Sequence, residues 1–274
     1  VTARRLCLRL EKLKAIIREI GPCVVAFSGG VDSTFLARVC RDTLGDGVIA
    51  VTMVTPFFPA REKQDARRFA RAMGIRHVFL TQGLPARVRS NPVDRCYHCK
   101  KQVFLSLRRF AASRGLGAVV EASNADDRAD YRPGARAVKE FGIRSPLQEA
   151  GLTKNEIRRL SRRLGLESWE KPALACLGSR FIYGEKLTAK KLAMVERAEE
   201  YLRALGARQV RVRFHGGMAR IEASPRQFAL LARERAGITK RLRALGFTYV
   251  AVDLEGYRTG AMNETIGMKG GTRG

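Results

Sequence analysis

Three strings in this chain put reactive residue types at spacings that chemistry can use. Ser28-Gly-Gly-Val-Asp-Ser33 ends an apolar run and opens a helical pattern. Its glycines, Gly29 and Gly30, let the backbone turn tightly and approach phosphate oxygens, and the following helix adds free N–H groups and the positive end of its dipole. Ser28 and Ser33 add hydroxyl donors, and Asp32 is a hard oxygen ligand suited to magnesium. The string lacks the Gly-Lys-Ser/Thr of a Walker loop, so ordinary γ-phosphate transfer is not implied. Ser123-Asn-Ala-Asp-Asp127 closes a predicted strand, where its plain reading is a polar turn with an Asn cap.

Of six cysteines, Cys7, Cys23 and Cys40 read as small buried hydrophobes. Cys96-Tyr-His-Cys99 sets two thiols at metal-clip spacing, and Cys176 lies within Lys171-Pro-Ala-Leu-Ala-Cys-Leu-Gly-Ser-Arg180. Three readings stand open. Cys96, Cys99 and Cys176 suit a [4Fe–4S] cluster with one iron left free to carry sulfide. Cys96 and Cys99 also suit structural zinc, with His98 or another residue as a further ligand, or a redox dithiol. Arg180, four residues past Cys176, is a candidate for a phosphate. Arg211 and Arg213 alternate on a predicted strand and share a side, from which they could fork onto a phosphate, unless that side is simply exposed.

The elements that must hold these residues alternate. Predicted strands at Cys23–Phe27, Val48–Val54, Ile75–Leu80 and Ala118–Glu121, with a short fifth at Ile143–Leu147, are separated by helices at Ser33–Leu44, Ala60–Met73 and Lys101–Arg114. That order predicts an α/β fold, a parallel sheet with helices on both faces and ligands at the carboxyl ends of strands. Thr153–Leu164 is a basic helix whose Arg158, Arg159, Arg162 and Arg163 read as a solvated face. The domain boundary falls near the proline-containing stretch after it, giving domains 1–170 and 171–274. The second is a smaller α+β domain with a helix at Thr188–Leu205, a hairpin around His215-Gly-Gly, a helix at Pro225–Arg235 and a strand at Phe247–Leu254. The glycine-rich tail from Gly256 is expected to be poorly ordered at its end.

The net charge of +26 comes from 52 Lys+Arg against 26 Asp+Glu, beside an ordinary 45% hydrophobic content. Residues 1–170 carry net +15 and residues 171–274 net +11, so no basic tail is set apart. A diffuse excess fits an anionic ligand or a habit of composition, and nucleic acid is the less favoured partner because aromatic residues are sparse. The longest uncharged run, Gly47–Ala60, is shorter than the roughly 20 residues a membrane span needs. The N-terminal stretch reads as a basic amphipathic helix rather than a secretory leader, and the cysteines point to a reducing, cytoplasmic setting.

The first string resembles the PP-loop of the N-type ATP pyrophosphatases, which cleave ATP between the α and β phosphates and activate an oxygen as an adenylate. Asn91-Pro-Val-Asp-Arg-Cys-Tyr-His-Cys-Lys100, Ser123–Asp127, Lys171–Arg180 and Leu254-Glu-Gly-Tyr-Arg-Thr-Gly260 narrow the likeness. Together the chain resembles, in register over nearly its whole length, the LarE-type ATP-dependent sulfur transferases. The resemblance implies ATP and Mg2+ gripped by Ser28, Gly29, Gly30, Asp32, Ser33, Ser123, Asn124 and Asp127. It implies adenylation of pyridinium-3,5-biscarboxylic acid mononucleotide and its conversion to a thiocarboxylate, a step toward the nickel-pincer nucleotide. Asp32, Cys176 and Arg180 take the catalytic roles, Ser179, Arg180, Arg211 and Arg213 the substrate contacts, and Glu200 and Glu222 a looser likeness to metal carboxylates. Some members sacrifice the cysteine that Cys176 matches, and others hold a [4Fe–4S] cluster fed by a sulfide donor. Cys96 and Cys99 favour the cluster version. The family also implies a homo-oligomer. A tRNA thiolase with the same adenylation chemistry is the alternative, and a zinc-stabilised binding protein a more distant one.

Overall fold

Short runs of small and β-branched residues build the sheet of the first unit: β1 (Cys23–Ala26), β2 (Val48–Val54), β3 (Arg76–Thr81) and β4 (Ala118–Val120). In the computed structural model, which describes residues 3–129, 133–172 and 175–258, these strands run parallel in the order β3-β2-β1-β4. Alternation along each strand serves two faces. Cys23, Val25 and Ala50 pack with Leu13, Ile17, Phe35 and Leu36 on one side. Val24, Ile49 and Val51 pack with Phe104, Leu107 and Ala111 on the other. The covering helices are α1 (Ala3–Ile20), α2 (Val31–Leu44), α3 (Ala60–Ala72), α4 (Arg95–Ser113), α5 (Pro133–Glu140), α6 (Pro146–Glu149) and α7 (Lys154–Arg163). Strand order reverses at β1, so the PP-loop after β1 and the Ser123 string after β4 leave the sheet on either side of its switch point. The parallel α/β sheet is therefore as the sequence predicts.

A second, smaller sheet joins β5 (Val210–His215), β6 (Met218–Ala223) and β7 (Tyr249–Val252). β5 and β6 form the expected antiparallel hairpin. Gly216 and Gly217, at φ 53° and 95°, supply the left-handed pair that a two-residue turn demands. β7 pairs parallel to β6. The helices here are α8 (Ala189–Ala204), α9 (Phe228–Arg233) and α10 (Arg235–Leu245). Val1–Pro85 with Asp94–Leu174 make the first compact unit, and Ala86–Val93 with Ala175–Gly274 the second. Residues 86–93 thus go with the second unit, which periodicity alone does not reveal.

Several elements differ from expectation. Helix α4 starts at Arg95 rather than Lys101, so Cys96 and Cys99 lie on its first turns. The fifth strand reduces to one bridge, Val120 to Arg144, because Pro146 opens α6 two residues later. The helix predicted at Pro225–Arg235 is a 3-10 turn followed by α9, and α10 carries on to Leu245. Cys7 is exposed, whereas Cys23 and Cys40 are buried. Expectations for the tail beyond Arg258, including the end of the Leu254–Gly260 string, lie outside the described residues. No helix among the described residues is long and apolar enough to cross a membrane.

His77 on β3 buttresses the loop that follows β1. Its Nε2 lies 2.8 Å from Oγ1 of buried Thr52, whose one proton goes to the Phe27 carbonyl, also at 2.8 Å. The ring is therefore the donor at Nε2. Burial, helped by the charge of Arg67, pushes the His77 pKa down to about 4, below the roughly 6.5 of an unfolded histidine. Between those values the unfolded chain binds the extra proton, so stability falls as pH drops from about 6.5 toward about 4. Urea midpoints followed through that window are expected to decline less steeply in His77→Gln, and equal slopes would remove His77 as the cause.

Candidate active site

The PP-loop is built around one strained position. Gly29 sits at φ +70°, and a Cβ there would lie 3.0 Å from the backbone of Ala66 on α3. Only glycine satisfies both demands. Ser28 and Ser33 lock the turn: the Ser28 amide donates to Ser33 Oγ at 3.2 Å, the two hydroxyl oxygens are 3.0 Å apart, and Ser33 Oγ donates to the Gly30 carbonyl at 3.2 Å. The Gly30 amide donates to Ser28 Oγ at 3.3 Å. No side chain caps α2. The amides of Val31, Asp32 and Ser33, the first of the helix, therefore stay open to an anion.

Asp32 lies in that first turn. Its Oδ2 accepts from Lys154 Nζ at 2.6 Å, while Oδ1 is buried with no hydrogen-bond partner. Burial raises the Asp32 pKa and the charge of Asp127 adds to this, against the pull of Lys154 and Asn124. The string after β4 is thus brought up to Asp32. It is folded by its own side chains: the Asn124 amide donates to Asp127 Oδ2 at 3.0 Å and the Asp126 amide to Asn124 Oδ1 at 2.9 Å. The Ser123 amide donates to Glu121 Oε1 at 2.9 Å. Thr153 caps α7 in a capping box with Glu156, which sets Lys154 at the helix start facing Asp32. A buried carboxylate oxygen without a partner, with a second carboxylate nearby, fits a hard cation carried in with a nucleotide.

Lys171 closes the loop from the other side. Its Nζ lies 3.2 Å from the Gly29 carbonyl, 2.7 Å from Glu62 Oε2 and 2.7 Å from Asp65 Oδ2. All three ammonium protons are spent. Burial raises the Glu62 pKa despite the opposing pull of Lys171. At Asp65, burial is outweighed by Lys171 and Arg68, and the pKa falls. Arg158 holds the same segment, donating to the Trp169 carbonyl and, at 2.8 Å, to the Lys171 carbonyl. Arg162 lies over the Trp169 ring. These two arginines are tethers rather than parts of a freely solvated face.

In the second unit the sequence-predicted substrate residues gather around the turn after Cys176. Cys176 is exposed and precedes a 3-10 turn, Leu177–Arg180. Arg180 is almost wholly buried. It forks onto Glu199 at 2.8 and 3.1 Å, and its Nη1 reaches the carbonyls of Ala175 and Cys176 at 2.7 and 3.1 Å. Arg213 donates to the Ser179 carbonyl and to Glu222, both at 2.7 Å. Arg211 is also buried and lies over the Tyr257 ring, with no carboxylate in salt-bridge range among the described residues. Burial first, then the like charge of Arg180, lower its pKa. The Arg211/Arg213 side is therefore interior, not an exposed strand face. Glu222 is clasped by Arg213 and Arg220, Glu200 is exposed, and the inward carboxylate is its neighbour Glu199.

On α4, Cys96 is exposed and Cys99 half-buried, three residues apart. His98 Nε2 stands 3.0 Å from Asp94 Oδ2 and is engaged there. Cys96, Cys99 and Cys176 are in no disulfide, and sulfur is the soft donor that an iron–sulfur cluster takes. Among the described residues no three His, Cys, Asp or Glu side chains gather as a ready metal site.

Residues 9–90 match the NAD synthase family, whose members share the PP-loop. Over 93% of this chain and 93% of its own length, the pyridinium-3,5-bisthiocarboxylic acid mononucleotide synthase of Lactiplantibacillus plantarum is 38% identical. The chain belongs to the LarE-type sulfur transferases. An uncharacterized Synechocystis protein is 42% identical over 94% of this chain and 98% of its own. One from Methanocaldococcus jannaschii is 28% identical over 92% and 98%.

Within this LarE-type chain, sequence reasoning missed Lys171 as a PP-loop contact and Glu199 as the Arg180 partner. Glu199 was findable, since it shares the α8 face of Leu192, Val195, Ala198 and Leu202. Two substitutions test the PP-loop geometry. Gly29→Ala is expected to cost about 1–3 kcal/mol from its positive φ and the Ala66 contact, with loss of ATP binding by calorimetry; retained affinity would show that the turn tolerates a side chain. Lys171→Met strands two carboxylates and is expected to destabilise by roughly 3 kcal/mol in urea unfolding. Adding Glu62→Gln should restore part of that loss, and a purely additive double variant would refute the charge account.

Proposed function

We propose that this chain is an ATP-dependent sulfur transferase, releasing AMP and pyrophosphate, that acts on pyridinium-3,5-biscarboxylic acid mononucleotide. The full-length likeness to the Lactiplantibacillus synthase carries this reading. The uncapped α2 amides and the orphaned Asp32 oxygen support it from physics. A substrate carboxylate oxygen attacks the α phosphorus of ATP, the α–β bridge breaks, and pyrophosphate leaves an acyl adenylate. The first-turn amides would hold the departing phosphates, joined by the Ser28 and Ser33 hydroxyls once these turn from their bonds within the loop, and Asp32 and Asp127 would hold the Mg2+ carried in with ATP. Hydrosulfide then displaces AMP, giving the thiocarboxylate and a proton.

Ser179, Arg180, Arg211 and Arg213 supply the cations and donors for the anionic mononucleotide. Arg180 also pins the carbonyls on either side of the Cys176 peptide and so orients its thiol. Cys96, Cys99 and Cys176 would hold a [4Fe–4S] cluster, whose chemistry when bound would be the supply of sulfide from a separate sulfide donor. A homo-oligomer belongs to the same reading.

Anaerobic purification with iron and sulfide analysis and an absorption spectrum tests the sulfur source. Cluster absorbance that disappears in Cys96→Ala, Cys99→Ala and Cys176→Ala is expected, beside pyrophosphate release that depends on the dicarboxylate nucleotide. A colourless protein whose Cys176 becomes dehydroalanine after one turnover would instead establish the sacrificial route. Tight bulk-tRNA binding with a steep salt dependence would favour the tRNA thiolase.

A further inference from the structure

Leu254-Glu-Gly-Tyr-Arg258, the described part of the C-terminal string, is given no task by ATP or sulfur chemistry. It forms a turn after β7 that returns the chain to β6. The Asp253 amide donates to the Ile221 carbonyl at 2.9 Å, and the Gly256 amide to the Asp253 carbonyl at 3.0 Å. The Tyr257 amide then donates to the Ala223 carbonyl at 3.2 Å. Gly256 makes this return possible. It stands at φ +74°, and a Cβ there would come within 2.6 Å of the Ala223 carbonyl oxygen. Ala223 pairs with Val210, so Tyr257 arrives beside the start of β5, with its ring centroid 5.3 Å from the Arg211 guanidinium carbon.

Arg180, Arg211 and Arg213 are all buried in this unit, but their donors are spent differently. Arg180 binds Glu199, the carbonyls of Ala175 and Cys176, and Ser179 Oγ. Arg213 binds Glu222 and the Ser179 carbonyl. Arg211 is only 7% exposed, yet among the described residues its one side-chain hydrogen bond goes to the Val210 carbonyl at 3.0 Å. Glu199 supports its charge from beyond salt-bridge range, being spent on Arg180 and Arg203. A buried cation without a carboxylate is costly, and the Tyr257 face stands in the carboxylate's place. The exchange matters chemically. A carboxylate takes up guanidinium protons in their own plane, whereas a ring over that plane steadies the charge and leaves the donors unspent. We infer that Tyr257 is a positioning residue for the anionic substrate, its ring bracing the buried Arg211 guanidinium with its donors turned to an incoming phosphate or carboxylate. This rests on the reading that Arg211 receives the mononucleotide.

The ring, not the hydroxyl, carries the brace, and that dictates the variants. Tyr257→Phe keeps the face and Tyr257→Leu removes it. Phenylalanines bearing successive ring fluorines at position 257 keep the shape while draining the face of negative charge. The full-length protein is titrated calorimetrically, without ATP, with nicotinic acid mononucleotide, a pyridinium mononucleotide carrying a phosphate and a carboxylate. Affinity is expected to stay within about twofold in Tyr257→Phe and to fall about tenfold or more in Tyr257→Leu, the scale of a desolvated cation–π contact. Along the fluorine series it is expected to fall stepwise, and in an Arg211→Met background the same series should be flat. ATP affinity, read in the same way, is expected to match the parent throughout.

Fluorinated proteins that bind like Tyr257→Phe would overturn the inference, because packing alone does not respond to the charge on a ring face. If Tyr257→Leu fails to fold by circular dichroism, the fluorine series decides, since it keeps the shape of phenylalanine. Inorganic phosphate, titrated likewise, separates the brace from the substrate. Phosphate affinity that follows the series in a protein indifferent to the mononucleotide would defeat the mononucleotide reading while leaving the brace intact. A parent that binds neither anion would overturn the brace itself.

Discussion

The Gly29 peptide is the position on which the first unit converges. Its φ of +70° and its approach to Ala66 leave no room for a side chain, and its carbonyl is held by Lys171. Lys171 in turn is held by Glu62 and Asp65 on α3, the same helix that supplies Ala66. The strand, the loop, α3 and the segment running toward Cys176 thus meet at one peptide. With that carbonyl turned to Lys171, the α2 amides are left as the donors facing outward, which is the arrangement an anion requires.

The second unit solves a different problem, the burial of several arginines close together. Buried Arg180 and Arg213, with half-buried Arg203 and Arg220, are set against Glu199, Glu222 and Asp253. Buried Arg211 lies beside them without a carboxylate in salt-bridge range among the described residues. Glu199 alone serves Arg180, Arg203 and the Val212 amide, and its pKa is lowered because these partners outweigh burial. Such pairs add little net stability, yet removing one partner is costly because a charge is left uncompensated. What they provide is fixed geometry around Ser179 and the peptide of Cys176. The part of the +26 charge that can be assigned to a task lies here.

Strand identity was legible because parallel buried strands read as continuous Val, Ile and Ala runs, and β2 begins and ends where predicted. The hairpin announced itself through Gly216 and Gly217. The PP-loop was legible for a different reason: its glycines, serines and aspartate are local to one turn. Legibility failed where structure depends on distant partners. Arg-x-Arg on β5 reads equally as a phosphate fork or an exposed face, and only Glu222 and the Ser179 carbonyl, both distant in sequence, show that Arg213 is interior. The start of α4 was hidden because cysteine, tyrosine and histidine are middling helix formers. Lys171 looked like a motif residue beside a proline, with nothing nearby in sequence to show that its ammonium belongs to Gly29.

The strap of residues 86–93 also bears on how the polypeptide is made. It leaves the ribosome well before residues 181–187, to which it is bound by the Asn91 amide and the Arg89 and Gly184 backbone. During synthesis those eight residues must wait, with Val88 and Asn91 uncovered, while the intervening strand and helices are still being added. Long-range closures of this kind form late, because the loop must be ordered before the contacts repay it. The second unit can therefore complete its hydrogen bonding only after the whole of the first has been translated, and Val88 lacks its buried surroundings until then.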